Sequence, residues 1–403
     1  MNEEPNEKKG FIGSFIRTML LLISVVVITA TATYFVTVNI TINKYLSKAN
    51  SEYMITKMSL VKTKLEDTYI RELDEEKMIE GAIKGYVSGV GDKYTSYLDE
   101  EDMKSLVEST TGNYVGIGVY MATSTELNGV VIIGLVEDAV AERVGIKVGD
   151  IITKVDDVSY VGKKSDEVTN ALKGEAGTKV RVTVKRDNEE IEYEMVREQI
   201  KVKTVSSEML DNNIGYIGIT SFDTGTAVEF KDHLNKLIAK NPKGIILDLR
   251  NNGGGVVGEA INIADTMIEK DKTILITRDK KGNEKIDKAK TKSIVNVPVI
   301  VLVNGGTASA SEILASALRD DAGIQIVGTK SYGKGVIQTI FTFKDGTGLK
   351  VTTNEYFSPN HNVINEVGIK PDVEVELDRE WKGYSYVPFE NDKQLQKAIE
   401  LLS

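Results

Sequence analysis

The chain of 403 residues is too long for one ordinary domain, and its 41% apolar and 27% charged residues are the balance of a folded protein. Its net charge of −10 argues against a nucleic-acid surface. Cysteine is absent and histidine occurs only at His233 and His361, which excludes a disulfide framework, a thiol nucleophile and a cysteine-held metal.

No charged side chain occurs from Thr18 to Asn43, and this run exceeds the roughly 20 residues needed to cross a bilayer. Lys8, Lys9 and Arg17 precede it, so the positive-inside tendency leaves residues 1–17 in the cytoplasm and exports the rest of the chain. The expectation is a retained single-pass anchor over 18–41. A cleaved signal peptide is the alternative, because Ala30-Thr31-Ala32 resembles a cleavage site. Residues 42–107 place apolar side chains at helical spacing, as in EEKMIEGAIKGYVSGV. Residues 108–200 change to short β-branched runs between Gly- and Asp-rich turns, interrupted by one helical stretch, SDEVTNALKG. From 201 to 403 strands and helices alternate: NNIGYIGI, then TAVEFKDHLNKLI; KGIILDLR, then VVGEAINIADTMI; VPVIVLVN, then SASEILASALRDD. Such alternation predicts a sheet covered by helices, with functional groups where strands end. A short amphipathic helix carrying Leu395, Ala398, Ile399 and Leu402 comes last, and no added wall-binding domain is expected after it.

Three segments carry chemistry. Asp248-Leu249-Arg250-Asn251-Asn252-Gly253-Gly254-Gly255 turns sharply after a buried strand and reads either as an oxyanion-binding loop or as a plain flexible turn. Asn304-Gly305-Gly306-Thr307-Ala308-Ser309-Ala310-Ser311-Glu312 runs from a strand into a helix. That geometry holds a serine hydroxyl at a helix N-terminus, although Thr307, Ser309 or Ser311 as a simple cap fits the local sequence as well. Gly328 to Gly335 nearly matches a phosphate-binding loop, but Gly335 stands where a hydroxyl should hold Mg²⁺. The other reading makes Lys334 a base. His233 lies in an amphipathic helical stretch and His361 in a turn, so both read as ordinary residues and a hydrolase here would draw its base from lysine or a carboxylate. If VIQ continues as a strand, Lys334, Val336 and Gln338 share one face and Gln338 orients the amine. A lysine base must be neutral, which at pH 7 costs about 4–5 kcal/mol unless burial depresses its pKa.

Together TASASE, GKGVIQ and DLRNNGGG resemble the motifs, in their family order, of the carboxyl-terminal processing (tail-specific) proteases, a serine–lysine family. GAIKGYVSGVGDKYTSYLDEED and VTTNEYFSPNHNVINEVGIKPDVEV extend the likeness from about residue 75 to the C-terminus. Beside the N-terminal transmembrane helix of the apolar run, the resemblance implies an α/β (α+β) protease core with a helical N-terminal region and an inserted, mostly β PDZ domain. It gives Ser309 as nucleophile, Lys334 as base, Gln338 as its orienting partner and the Gly255 and Ala310 amides as oxyanion hole. Val115-Gly116-Ile117-Gly118 resembles the PDZ loop that grips a peptide carboxylate. The implied function is cleavage of extracytoplasmic proteins selected by their free C-termini, with neither metal nor organic cofactor and with a possible homodimer through the N-terminal region. One departure is Lys173, where the family often has an arginine that couples the PDZ domain to the active site. The alternative function is a membrane-anchored PDZ adaptor with a silent protease domain.

Overall fold

The computed structural model describes residues 6–46, 51–187, 189–381 and 387–403 and divides into two compact units, 1–82 and 83–403. The first residues of the expected cytoplasmic arm (1–5) and part of the expected helical region (47–50) lie outside the described residues.

In the first unit, α1 (Asn6–Leu46) contains Met19–Val38, a run of mean hydropathy 2.3 that is long and apolar enough to cross a membrane. Three hydroxyls of this run, on Ser24, Thr29 and Thr31, bond back to the helix's own carbonyls. Thr29 donates to the Val25 carbonyl and Thr31 to that of Val27, each at 2.7 Å. Such back-bonding lets hydroxyls sit on an apolar helix surface without water. Helices α2 (Ser51–Thr68) and α3 (Glu75–Ser88) come next.

The second unit continues with β1 (Ser96–Leu98) and α4 (Glu100–Thr111), whose N-cap Asp99 forms a reciprocal capping box with Asp102. Next, β2 (Asn113–Gly116) leads into an antiparallel sheet of β3 (Val119–Ser124), β4 (Gly129–Leu135), β5 (Ile151–Val155), β7 (Lys179–Arg186) and β8 (Glu189–Val196), in that order, with β6 (Val158–Ser159) on β5. Period-two alternation builds its core. Val180, Val182 and Val184 are fully buried, as are Val130 and Ile132, and they meet Val168 and Leu172 of α6 (Ser165–Leu172). The short α5 (Val140–Val144) joins β4 to β5, and β9 (Glu198–Lys201) returns to pair with β2.

The remaining chain forms a six-stranded sheet ordered β10 (Val205–Met209), β11 (Ile214–Ile219), β12 (Gly244–Asp248), β15 (Val299–Val303), β16 (Gln325–Gly328) and β19 (Val373–Glu374). Strands β11, β12, β15 and β16 run parallel. They are apolar on both faces because both faces are covered. Ile245, Leu247, Val299 and Val301 pack with α7 (Thr226–Ile238), α8 (Val257–Met267) and α9 (Ala310–Ala322), whereas Ile246, Ile300 and Leu302 pack with α10 (Lys393–Leu402). A second sheet holds β1, β18 (Gly348–Phe357), β13 (Thr273–Asp279) and β14 (Glu284–Lys288), with β17 (Val336–Thr342) along β18.

Candidate active site

Parallel pairing sets Asp248 beside Leu302 and Val303 beside Gly328, so β12, β15 and β16 end together. All three chemical segments therefore emerge at one sheet edge, where the carboxyl ends of parallel strands gather functional groups. Side chains stitch the first two loops together. Asn251 and the Asn304 side chain exchange two hydrogen bonds of 2.9 Å. Thr307 donates to the Leu249 carbonyl at 2.8 Å, and Ser311 to that of Asn252 at 2.9 Å. Gly254 lies so close that a Cβ there would come within 2.8 Å of Ser309 Cβ, at a φ of +99°. The glycine run is thus a packed contact against the serine turn, not a loose hinge. The Gly255 and Ala310 amides donate to no protein acceptor among the described residues.

Ser309 sits at the N-cap of α9 with φ 57° and ψ −117°, a region few non-glycine residues occupy. Its neighbours hold it there. Fully buried Glu312 accepts hydrogen bonds from the Ser309 and Lys334 amides, each 2.9 Å from one carboxylate oxygen. The other oxygen accepts from the Gly333 amide at 2.8 Å and the Ser331 hydroxyl at 2.6 Å. The buried Tyr356 hydroxyl lies 3.1 Å from the Ser309 carbonyl and 2.6 Å from that of Lys334. One carboxylate and one phenol therefore fix the serine and lysine segments against each other. The same bonds bear on the phosphate-loop reading. The Gly333 and Lys334 amides already serve an internal anion, and a strand, β17, comes after them where a phosphate loop needs a helix.

Lys334 is half-buried, and its amine lies over the Tyr94 ring, 4.8 Å from the centroid. Burial pushes its pKa below the ordinary lysine value, and the Lys350 and Lys93 charges add to this against the opposing influence of Tyr332 and Glu312. Gln338 lies on β17, and its side-chain amide donates to Thr352 Oγ1 at 3.2 Å. The β17–β18 register shifts between Ile337 and Gln338. His233 bonds Ser207 of β10 at 2.6 Å, and His361 lies beside Glu284 of β14.

Sequence reasoning assigns no role to Glu312 or Tyr94. Glu312 does carry a signal, since Ser309-x-x-Glu312 has capping-box spacing. Tyr94 carries none of its own, because long-range pairing, as of β1 with β18, brings its segment to the lysine.

A groove of about 490 Å³ lies between β3 and α6, lined by Gly116, Ile117, Gly118, Thr169, Leu172 and Lys173 among others. Among the described residues, edge strand β3 pairs only with β4. The Ile117 and Gly118 amides have no protein acceptor among the described residues. Gly118 holds φ +81° with the Ala139 Cβ in its way, so a side chain is not tolerated there. Val115 does not line the groove; it lies in β2 opposite Gln199. Lys173 forms a 2.6 Å ion pair with Glu108 of α4 at the same groove.

This arrangement, an α/β core with a serine turn and an inserted PDZ module, defines a serine-type peptidase. The models of peptidase family S41, of the PDZ domain and of the activating protease CtpB N-terminal domain match residues 213–375, 131–186 and 27–102. The chain is 37% identical over 360 residues to the carboxy-terminal processing protease CtpA of Bacillus subtilis (strain 168), covering 89% of this chain and 76% of that one. It is 35% identical over 372 residues to the probable CtpA-like serine protease of Staphylococcus haemolyticus (strain JCSC1435), covering 92% of this chain and 74% of that one. A solved structure from Bacteroides fragilis NCTC 9343 shares the fold, with a TM-score of 0.53 at 15% identity over 83% of this chain and 92% of that chain. The chain belongs to peptidase family S41, among the carboxy-terminal processing proteases.

Proposed function

We propose that this peptidase is an endopeptidase working through a Ser309–Lys334 dyad. Neutral Lys334 takes the hydroxyl proton as Ser309 Oγ attacks the scissile carbonyl. The oxyanion forms against the Gly255 and Ala310 amides. The lysine ammonium then gives its proton to the leaving amine, and a water activated by the same amine hydrolyses the acyl-enzyme. Gln338 orients the lysine side chain from β17. The observation that carries this reading is the shared bracing of Ser309 and Lys334 by Glu312 and Tyr356.

In this reading the groove between β3 and α6 takes the substrate's C-terminal tail, with the terminal carboxylate on the Ile117 and Gly118 amides. Helix α1 anchors the chain in the membrane, and the second unit works on the extracytoplasmic side. A fluorophosphonate serine probe tests the chemistry. The full chain should gain one adduct, mapped to Ser309, and Lys334→Ala should lose most of it. No adduct at Ser309 in the wild type would instead favour the silent, peptide-binding adaptor.

A further inference from the structure

We propose that Tyr94 is a positioning residue for the proton transfer, its ring being the seat on which the Lys334 ammonium rests after taking the proton of Ser309. The inference rests on Lys334 being the base.

The Lys334 amine stands over the Tyr94 face at 4.8 Å from the centroid, within cation–π reach. The turn that carries the ring is held at several points. The Tyr94 amide donates to Asp92 at 3.2 Å, and Thr95 in the same turn accepts the Thr352 amide of β18 at 3.1 Å. Lys93 lies 4.8 Å from the Tyr94 ring and 5.4 Å from that of Tyr332, on the lysine loop. The turn before β1 is thereby fixed both to the strand beside Lys334 and to the loop that carries it.

The ring's value lies in what it discriminates. An aromatic face attracts an ammonium and is nearly indifferent to a neutral amine. The dyad starts with the neutral amine and forms the ammonium on the way to the tetrahedral intermediate. The contact is thus stronger in the transition state than in the ground state, which is the condition for acceleration. The charged and titratable groups around the amine divide. Burial, Lys350 of β18 and Lys93 disfavour the ammonium, while Glu312 of α9 and Tyr332 favour it. The first set keeps the base available, and the ring receives the proton-bearing form.

The test measures kcat, KM and the pH dependence of kcat/KM for the full chain in detergent, as wild type, Tyr94→Phe and Tyr94→Leu. Tyr94→Phe keeps the ring face and should stay within about two-fold of wild type. Tyr94→Leu should lose about 3- to 10-fold in kcat with KM unchanged. Its acid limb should move to lower pH, because an ammonium without the ring gives up its proton more readily. A merely structural role would loosen the site, readmit water and move that limb upward. Should Tyr94→Leu fail to fold, Tyr94→Phe with one, two or three ring fluorines keeps the shape while weakening the face, and the limb should fall stepwise. An acid limb that stays put or rises, in Tyr94→Leu or across the fluorinated series, overturns the proposal. Lys334→Met separates the two failures. An inactive Lys334→Met with an unmoved Tyr94 series removes this inference alone, whereas an active Lys334→Met overturns the dyad as well.

Discussion

Glu312 is fully buried and its two oxygens receive four donors, so it has no spare acceptor capacity and no exposure to water. Replacing it by glutamine turns one oxygen into an NH2 group that faces donors. Each buried donor left unpaired costs about 1–3 kcal/mol. Glu312→Gln should therefore destabilise the chain by about 2–4 kcal/mol and lower cleavage by about 100-fold or more. Urea midpoints and initial rates measure the two effects, and a stable, fully active variant would contradict the bracing role. For the proposed base, burial is the main cause of the lowered pKa and Lys350 the next. Removing that neighbouring charge favours the ammonium. The neutral amine then appears only at higher pH, so Lys350→Gln should move the acid limb of kcat/KM upward. Lys334→Arg keeps a charge that cannot be shed and should be inactive at any pH where the fold survives.

At the scale of elements, the C-terminal helix is tied to the candidate site through one half-buried cation. Arg250, two residues beyond the end of β12, pairs with Asp248 at 2.6 Å and with Asp392 at 2.9 Å. Asp392 also caps α10 by accepting the Leu395 amide at 2.9 Å. Asp392→Ala removes a cap and half of the arginine's neutralisation, and should cost about 2–4 kcal/mol in denaturant unfolding. An unchanged midpoint would show that α10 is held by its apolar face alone. Much of this layer is legible in the sequence. Buried runs such as GIILD and VIVLV mark central parallel strands, and the helices between them show a clear apolar stripe. The loops at their ends stand out because glycine and serine interrupt those runs. The second sheet is less legible. Strand β14 is nearly all charged and exposed, so its alternation carries no apolar signal, and β18 draws partners from distant segments. Tyr94 and the Glu108–Lys173 pair escape for the same reason, since a contact made only by long-range packing leaves no local pattern.

The whole chain carries an apolar helix, a groove whose Ile117 and Gly118 amides have no protein acceptor among the described residues, and a braced serine turn. If the groove holds a terminal carboxylate, amidating a substrate peptide removes its charge and should raise KM by about 10-fold or more, with kcat little changed. Gly118→Ala should give a similar rise on the free-acid peptide, because φ +81° and the Ala139 contact forbid its side chain. Equal KM for the acid and the amide would remove the tail-selecting part of the proposal and leave the peptidase intact. The central claim is that bond cleavage belongs to Ser309 and Lys334 together. The most direct measurement is the initial rate of cleavage of one unstructured, free-acid protein substrate by the purified full chain, set beside Ser309→Ala and Lys334→Ala of matched stability. The account predicts cleavage by the wild type and a loss of at least about 1,000-fold in each variant. Wild-type turnover by either variant would contradict it.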